Sequence, residues 1–154
     1  MKNIQKLFTK ATAVILVSSL SAMTVFAAEL NNMSDTLSSV KINTVSNHTI
    51  VFTTPTGLGN GSTTVITFQS DFSIPAGLDF TDVDINVGGA YVGSTTIAAL
   101  PTGTTLGVVR TSATVITITA SSSAVIAPGA VVYIRIGTNA IHDATGDQQI
   151  TNAT

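Results

Sequence analysis

The chain has 154 residues, 44% of them hydrophobic and 9% charged, with a formal net charge of -2, two His and neither Cys nor Trp. That length suits one domain. The missing Cys excludes disulfide scaffolds, Cys-ligated zinc and thiol nucleophiles, and the charge balance lacks the basic stripe that nucleic-acid binding requires.

The N-terminus reads as an export signal. Lys2, Lys6 and Lys10 precede an apolar run, 11–26, that ends in Ala27-Ala28-Glu29. A basic start, an apolar middle and a small-residue exit define a secretory signal peptide. With Val25 and Ala27 at the -3 and -1 positions, cleavage falls after Ala27. The run is shorter than the ~20 residues that span a bilayer, and Ser18, Ser19 and Ser21 interrupt it. Membrane association is therefore expected only before cleavage. The expected organisation is a signal peptide over 1–27, a flexible leader over 28–36 and a single domain over 37–154. Beyond the signal, Lys41, Arg110 and Arg135 face eight acidic residues, a balance of -5. Hydroxyl groups, not charges, must solvate the surface of such a chain.

From residue 37 onward the dominant period is two. Apolar residues alternate with polar ones over 37–43 (Val40, Ile42), 48–54 (Ile50, Phe52) and 63–69 (Ile66, Phe68). The pattern repeats over 81–87 (Val83, Ile85, Val87), 114–119 (Ile116, Ile118) and 131–136 (Val132, Ile134, Ile136), with weaker candidates at 91–97 and 105–110. Alternation rich in Val, Ile and Thr marks half-buried strands. Between the runs fall Pro55-Thr56-Gly57, Gly59-Asn60-Gly61, Pro75-Ala76-Gly77, Gly88-Gly89, Pro101-Thr102-Gly103 and Pro128-Gly129, all turn signals. Seven or eight short strands with turns between them predict an all-β, antiparallel, immunoglobulin-like β-sandwich. The last residues, 148–152, read as the start of one further strand, which predicts an open edge where its continuation would pair.

Three stretches carry a resemblance. They are 46–57 (SNHTIVFTTPTG), 74–84 (IPAGLDFTDVD) and 132–140 (VYIRIGTNA). They resemble Ig-like domains of exported bacterial surface proteins, including envelope proteins of small-genome candidate-phylum bacteria. The resemblance covers roughly 37–152 and implies a fold and a location outside the cell. It implies no catalytic residue.

The chemistry-bearing candidates are few. Asp79, Asp82 and Asp84 form the densest acidic group, and on a strand residues 82 and 84 project to one face about 7 Å apart. They could share a calcium ion, but alternation already explains them as the solvent face opposite Val83, Ile85 and Val87. The stretch 143–147 lacks the spacing and terminal Glu of a calcium loop. The Gly-rich stretch 57–62 is followed by a strand pattern and not a helix, so it reads as a hairpin loop and not a phosphate cradle. His48 and His142 are the only potential bases, no G-x-S-x-G elbow accompanies them, and both read as surface or edge residues. Asn47, Asn60 and Asn152 fit the N-x-[ST] pattern, as a Thr-rich chain does by chance.

No catalytic, cofactor-binding or metal residues are therefore expected, and no cofactor. The expected function is non-enzymatic: a secreted structural or adhesive module of the bacterial cell surface. Its expected partners are other envelope proteins, or a second copy paired along an open strand edge. The alternative is a carbohydrate-binding module, with Tyr91, Tyr133 and the acids Asp79, Asp82 and Asp84 lining a shallow glycan site.

Overall fold

A computed structural model describes residues 30–88, 96–141 and 144–154. The expected signal segment and its cleavage site, together with Tyr91, His142 and Asp143, lie outside the described residues. Among those described, no helix is long and apolar enough to cross a membrane.

The strands are β1 (Asn31–Leu37), β2 (Val45–Ser46), β3 (His48–Thr54), β4 (Thr63–Thr67), β5 (Val83–Val87), β6 (Thr96–Ala98), β7 (Thr105–Ser112), β8 (Val115–Thr119), β9 (Ala130–Ile136) and β10 (Ile150–Thr151). One sheet has the order β1-β3-β9-β5 and is antiparallel throughout. A second has the order β4-β8-β7-β6, antiparallel except for the parallel β6–β7 pair. The short β10–β2 ladder stands apart from both. The molecule is all-β, and two four-stranded sheets sharing one apolar core fit a β-sandwich.

The core follows the predicted parity. Ile50, Ile134 and Ile85 lie side by side across β3, β9 and β5, with Phe52 and Val132 in the next row. The second sheet contributes Ile66, Ile116, Ile118, Leu106, Val108 and Ile97, all buried in the same cluster. Full burial of each such side chain contributes roughly 1.5–3 kcal/mol. Nine of the alternating apolar residues, Ile66, Phe68, Val83, Ile85, Ile116, Ile118, Val132, Ile134 and Ile136, are all buried in it.

Three readings need correction. The polar stretch expected to be a flexible leader forms β1 on the edge of the first sheet, where pairing with β3 needs backbone groups and not apolar side chains. Of the predicted strand at 37–43, Leu37 ends β1 and 38–43 is an exposed connection, with Val40 88% and Ile42 64% exposed. The Gly-rich stretch 57–62 does not close a hairpin. It carries the chain from the first sheet to the second, because β3 and β4 belong to different sheets. Gly57 (φ +71) is required there: Leu58 pairs with Ile126, and a Cβ on Gly57 would meet the Ile126 carbonyl. The final segment does form a strand, β10, as expected, and its partner is the short β2. Its two strand residues pair with Ser46 and Val45, Thr151 also bridges to Ser73, and the Asn152 N–H donates to the Thr44 carbonyl.

Candidate functional site

The acidic candidates sit where the chain turns into β5. Asp79 caps the 3-10 turn Phe80–Asp82, accepting from the Thr81 N–H at 2.8 Å and from the Thr81 hydroxyl at 2.6 Å. The Asp82 Oδ2 accepts the Asp79 N–H at 3.0 Å, completing a reciprocal cap. Its Oδ1 accepts the N–H groups of Asp147 (2.7 Å) and Gln148 (2.8 Å). Asp84 Oδ2 accepts the Ile141 N–H at 2.8 Å.

The expectation that Asp82 and Asp84 face solvent is therefore wrong: they are 1% and 2% exposed. The reason is long-range. The connection from β9 to β10 lies back over the outer face of β5, and the carboxylates supply acceptors to its backbone N–H groups. Buried carboxylates are tolerable when charge-assisted bonds of this kind satisfy them. The Asp147 carboxylate itself accepts from Gln148 Nε2 (2.8 Å) and does not join the others. Among the described residues, no group of three His, Cys, Asp or Glu could hold a metal ion.

Of the residues expected to line a shallow glycan site, Tyr133, Asp82 and Asp84 lie among the described residues. Tyr133 is half-buried on the outer face, paired with Asn86, while Asp82 and Asp84 serve the loop beneath which they lie. Asn86 is 4% exposed, and its Oδ1 has no hydrogen-bond partner.

A second constellation was not assembled from the sequence, which offered His48 only as a potential base. His48, expected at a surface or edge, is fully buried. It shares the inward parity of Ile50 and Phe52, and the rings of Phe68 and Phe72 pack edge-on against it with centroids 5.3 and 5.9 Å away. Its Nδ1 lies 2.7 Å from Asp35 Oδ2 on β1. Its Nε2 lies 3.3 Å from the hydroxyl of Ser46, also fully buried. That hydroxyl donates to Asn152 Oδ1 at 2.5 Å. The Asn152 Nδ2 donates in turn to the carbonyls of Ser39 (2.8 Å) and Lys41 (2.9 Å). One signal for it was present in the sequence: Ser46, His48, Ile50 and Phe52 are spaced by two and share one face. The partners Asp35 and Asn152 carry no such signal.

A third feature is the edge of the second sheet. In β4 the ladder to β8 continues through the Phe68 N–H to the Thr114 carbonyl, so even-numbered residues turn their backbone groups to β8. The N–H and C=O groups of Thr63, Val65 and Thr67 point away from β8, to a side where no strand pairs with β4 among the described residues. Beside this edge lies a groove of about 350 Å³, lined by Leu30, Pro55, Leu58 and Val65 among others.

Comparison of the chain with family models, curated proteins and solved structures finds no match. The class of the molecule thus rests on its own architecture: an all-β protein whose sheets fit a sandwich.

Proposed function

We propose that the chain is a secreted, Ig-like, non-enzymatic module of the bacterial cell surface, and that it assembles with a second copy of itself through β4. The observation that carries this reading is the β4 edge. Its sequence, TTVIT, holds no charge, Pro or bulge, and Val65 is 54% exposed. Edges that natural proteins protect usually carry such blocking features.

The strand is also suited to its own copy. Antiparallel pairing about a two-fold axis sets Val65 against Val65 and Thr63 against Thr67, each pair exchanging both backbone bonds. No like charges meet, and residue i faces j as j faces i, as an isologous contact demands. The lysine-flanked apolar start supports export, and a Thr-rich, weakly charged surface suits a protein standing outside the cell.

Light scattering over a concentration series tests the assembly. The expected result is concentration-dependent dimerisation that Val65→Lys abolishes without lowering stability. A strict monomer at high concentration, or a dimer indifferent to Val65→Lys, refutes pairing through β4.

A further inference from the structure

The geometry points to an intramolecular ester cross-link between Ser46 and Asn152, formed by the protein on itself with His48 as the base. Nucleophilic catalysis by a serine needs a base within hydrogen-bond reach and a third group that orients the base. Ser46, His48 and Asp35 supply the three, at 3.3 and 2.7 Å. No outside substrate can reach them, since Ser46 and His48 are both 0% exposed. The electrophile is already in place. The Ser46 hydroxyl lies 2.5 Å from the carbonyl oxygen of a primary carboxamide, that of Asn152.

Each atom has a destination. With Nδ1–H donated to Asp35, Nε2 of His48 carries the lone pair facing Ser46. Rotation of the Ser46 hydroxyl from Asn152 Oδ1 toward Nε2 delivers its proton to the imidazole. The Oγ then bonds to Cγ of Asn152, and the resulting imidazolium returns the proton to Nδ2. The C–N bond breaks, the products are an ester and ammonia, and no oxidant or cofactor is consumed. The carbonyls of Ser39 and Lys41 hold Nδ2 as it leaves. Both belong to the connection that includes the exposed Val40 and Ile42, which gives ammonia a short way out.

Two features favour a reaction that would be negligible in solution. Fixed neighbours of this kind act at effective molarities of about 10⁵–10⁸ M. Burial also excludes the water that would hydrolyse the ester. One turnover per molecule suffices, so the chemistry need not be fast. The product joins the strand pair β2–β10 covalently, so that 46–152 becomes a closed loop which pulling on the C-terminal segment cannot unzip.

The test uses the full chain, folded and denatured before digestion. Trypsin cuts after Lys41, Arg110 and Arg135. Without a cross-link, peptides 42–110 and 136–154 separate. With it they remain one species, about 17 Da lighter than the two together, because one ammonia is lost on acyl transfer to the serine. Hydroxylamine should then split that species. Ser46→Ala should give separate peptides of full mass. Asp35→Asn, at a position that reaches the surface, should fold normally and slow cross-linking by more than tenfold, since it disrupts the tautomer of His48. Separate, full-mass peptides from folded wild-type protein after prolonged incubation overturn the proposal. A link that resists hydroxylamine overturns the ester, and an unchanged rate in Asp35→Asn overturns the role of His48.

Discussion

Asp82 is the residue on which the covering of β5 depends, and its removal has a calculable consequence. The carboxylate is 1% exposed and accepts three backbone N–H groups, from Asp79, Asp147 and Gln148. A hydrogen bond to a charged group is worth roughly 1.5–3 kcal/mol net, and each donor left unpaired in the interior costs about 1–3 kcal/mol. The three share one acceptor group and do not add independently, so Asp82→Ala should destabilise the fold by about 3–5 kcal/mol. Asp82→Asn keeps one oxygen for Asp147 and Gln148 but turns an NH₂ toward the Asp79 N–H. Its expected cost is about 1–3 kcal/mol, the penalty for that one unsatisfied donor. Urea denaturation of the three proteins measures both values. Hydrogen exchange adds locality: in Asp82→Ala the amides of Asp147 and Gln148 should lose protection while those of β3 and β9 keep theirs. For Asp82→Ala, a loss below about 0.5 kcal/mol, the range of ordinary surface substitutions, would refute the reasoning.

Calcium should leave the melting temperature unchanged, because the oxygens of Asp82 already face N–H donors. A site occupied at about 100 times its dissociation constant would add roughly 2.7 kcal/mol, and such a rise, lost in Asp82→Ala, would contradict this. Ile134→Ala removes a fully buried side chain between two strand neighbours and should cost about 2–5 kcal/mol in the same denaturation assay. The exported protein should have an intact mass lacking residues 1–27, whereas a product retaining Met1 in the envelope would identify the apolar run as an anchor.

The sequence disclosed the strands whose two faces differ in kind. Ile50 and Phe52 against Thr49 and Thr53, or Ile116 and Ile118 against Thr117 and Thr119, report burial on one side directly. It disclosed less where both faces are covered. At the start of β5, Val83 and Ile85 mark the core, but Asp82 and Asp84 read as solvent-facing when they are buried too. What covers them is a connection more than fifty residues away in sequence, and binary patterning contains no information about such a return. The polar β1 was missed for the complementary reason, since an exposed edge strand is held by its ladder to β3 and needs no apolar face.

The same distinction explains why the Asp35–His48–Ser46–Asn152 chain, buried except for its acid, escaped notice. A search for catalysis in sequence looks for motifs that open a nucleophile to a substrate, such as a strained elbow beside a cleft. Here the nucleophile lies on the two-residue strand β2, its base is the first residue of β3, its orienting acid is on an edge strand, and its acyl group follows the last strand. Parity alone places Ser46 and His48 on one inward face, which is the part a sequence can disclose. The closure comes from topology, because β10 pairs with β2 and so carries Asn152 to Ser46. A hydroxyl, an imidazole and a carboxamide would usually be read as three ways of satisfying buried polar groups. Their order in space, with the carboxamide at the nucleophile and the carboxylate behind the base, also meets the requirements for acyl transfer. The mass of the folded chain separates the two readings, since hydrogen bonding leaves every atom in place and acyl transfer removes one ammonia.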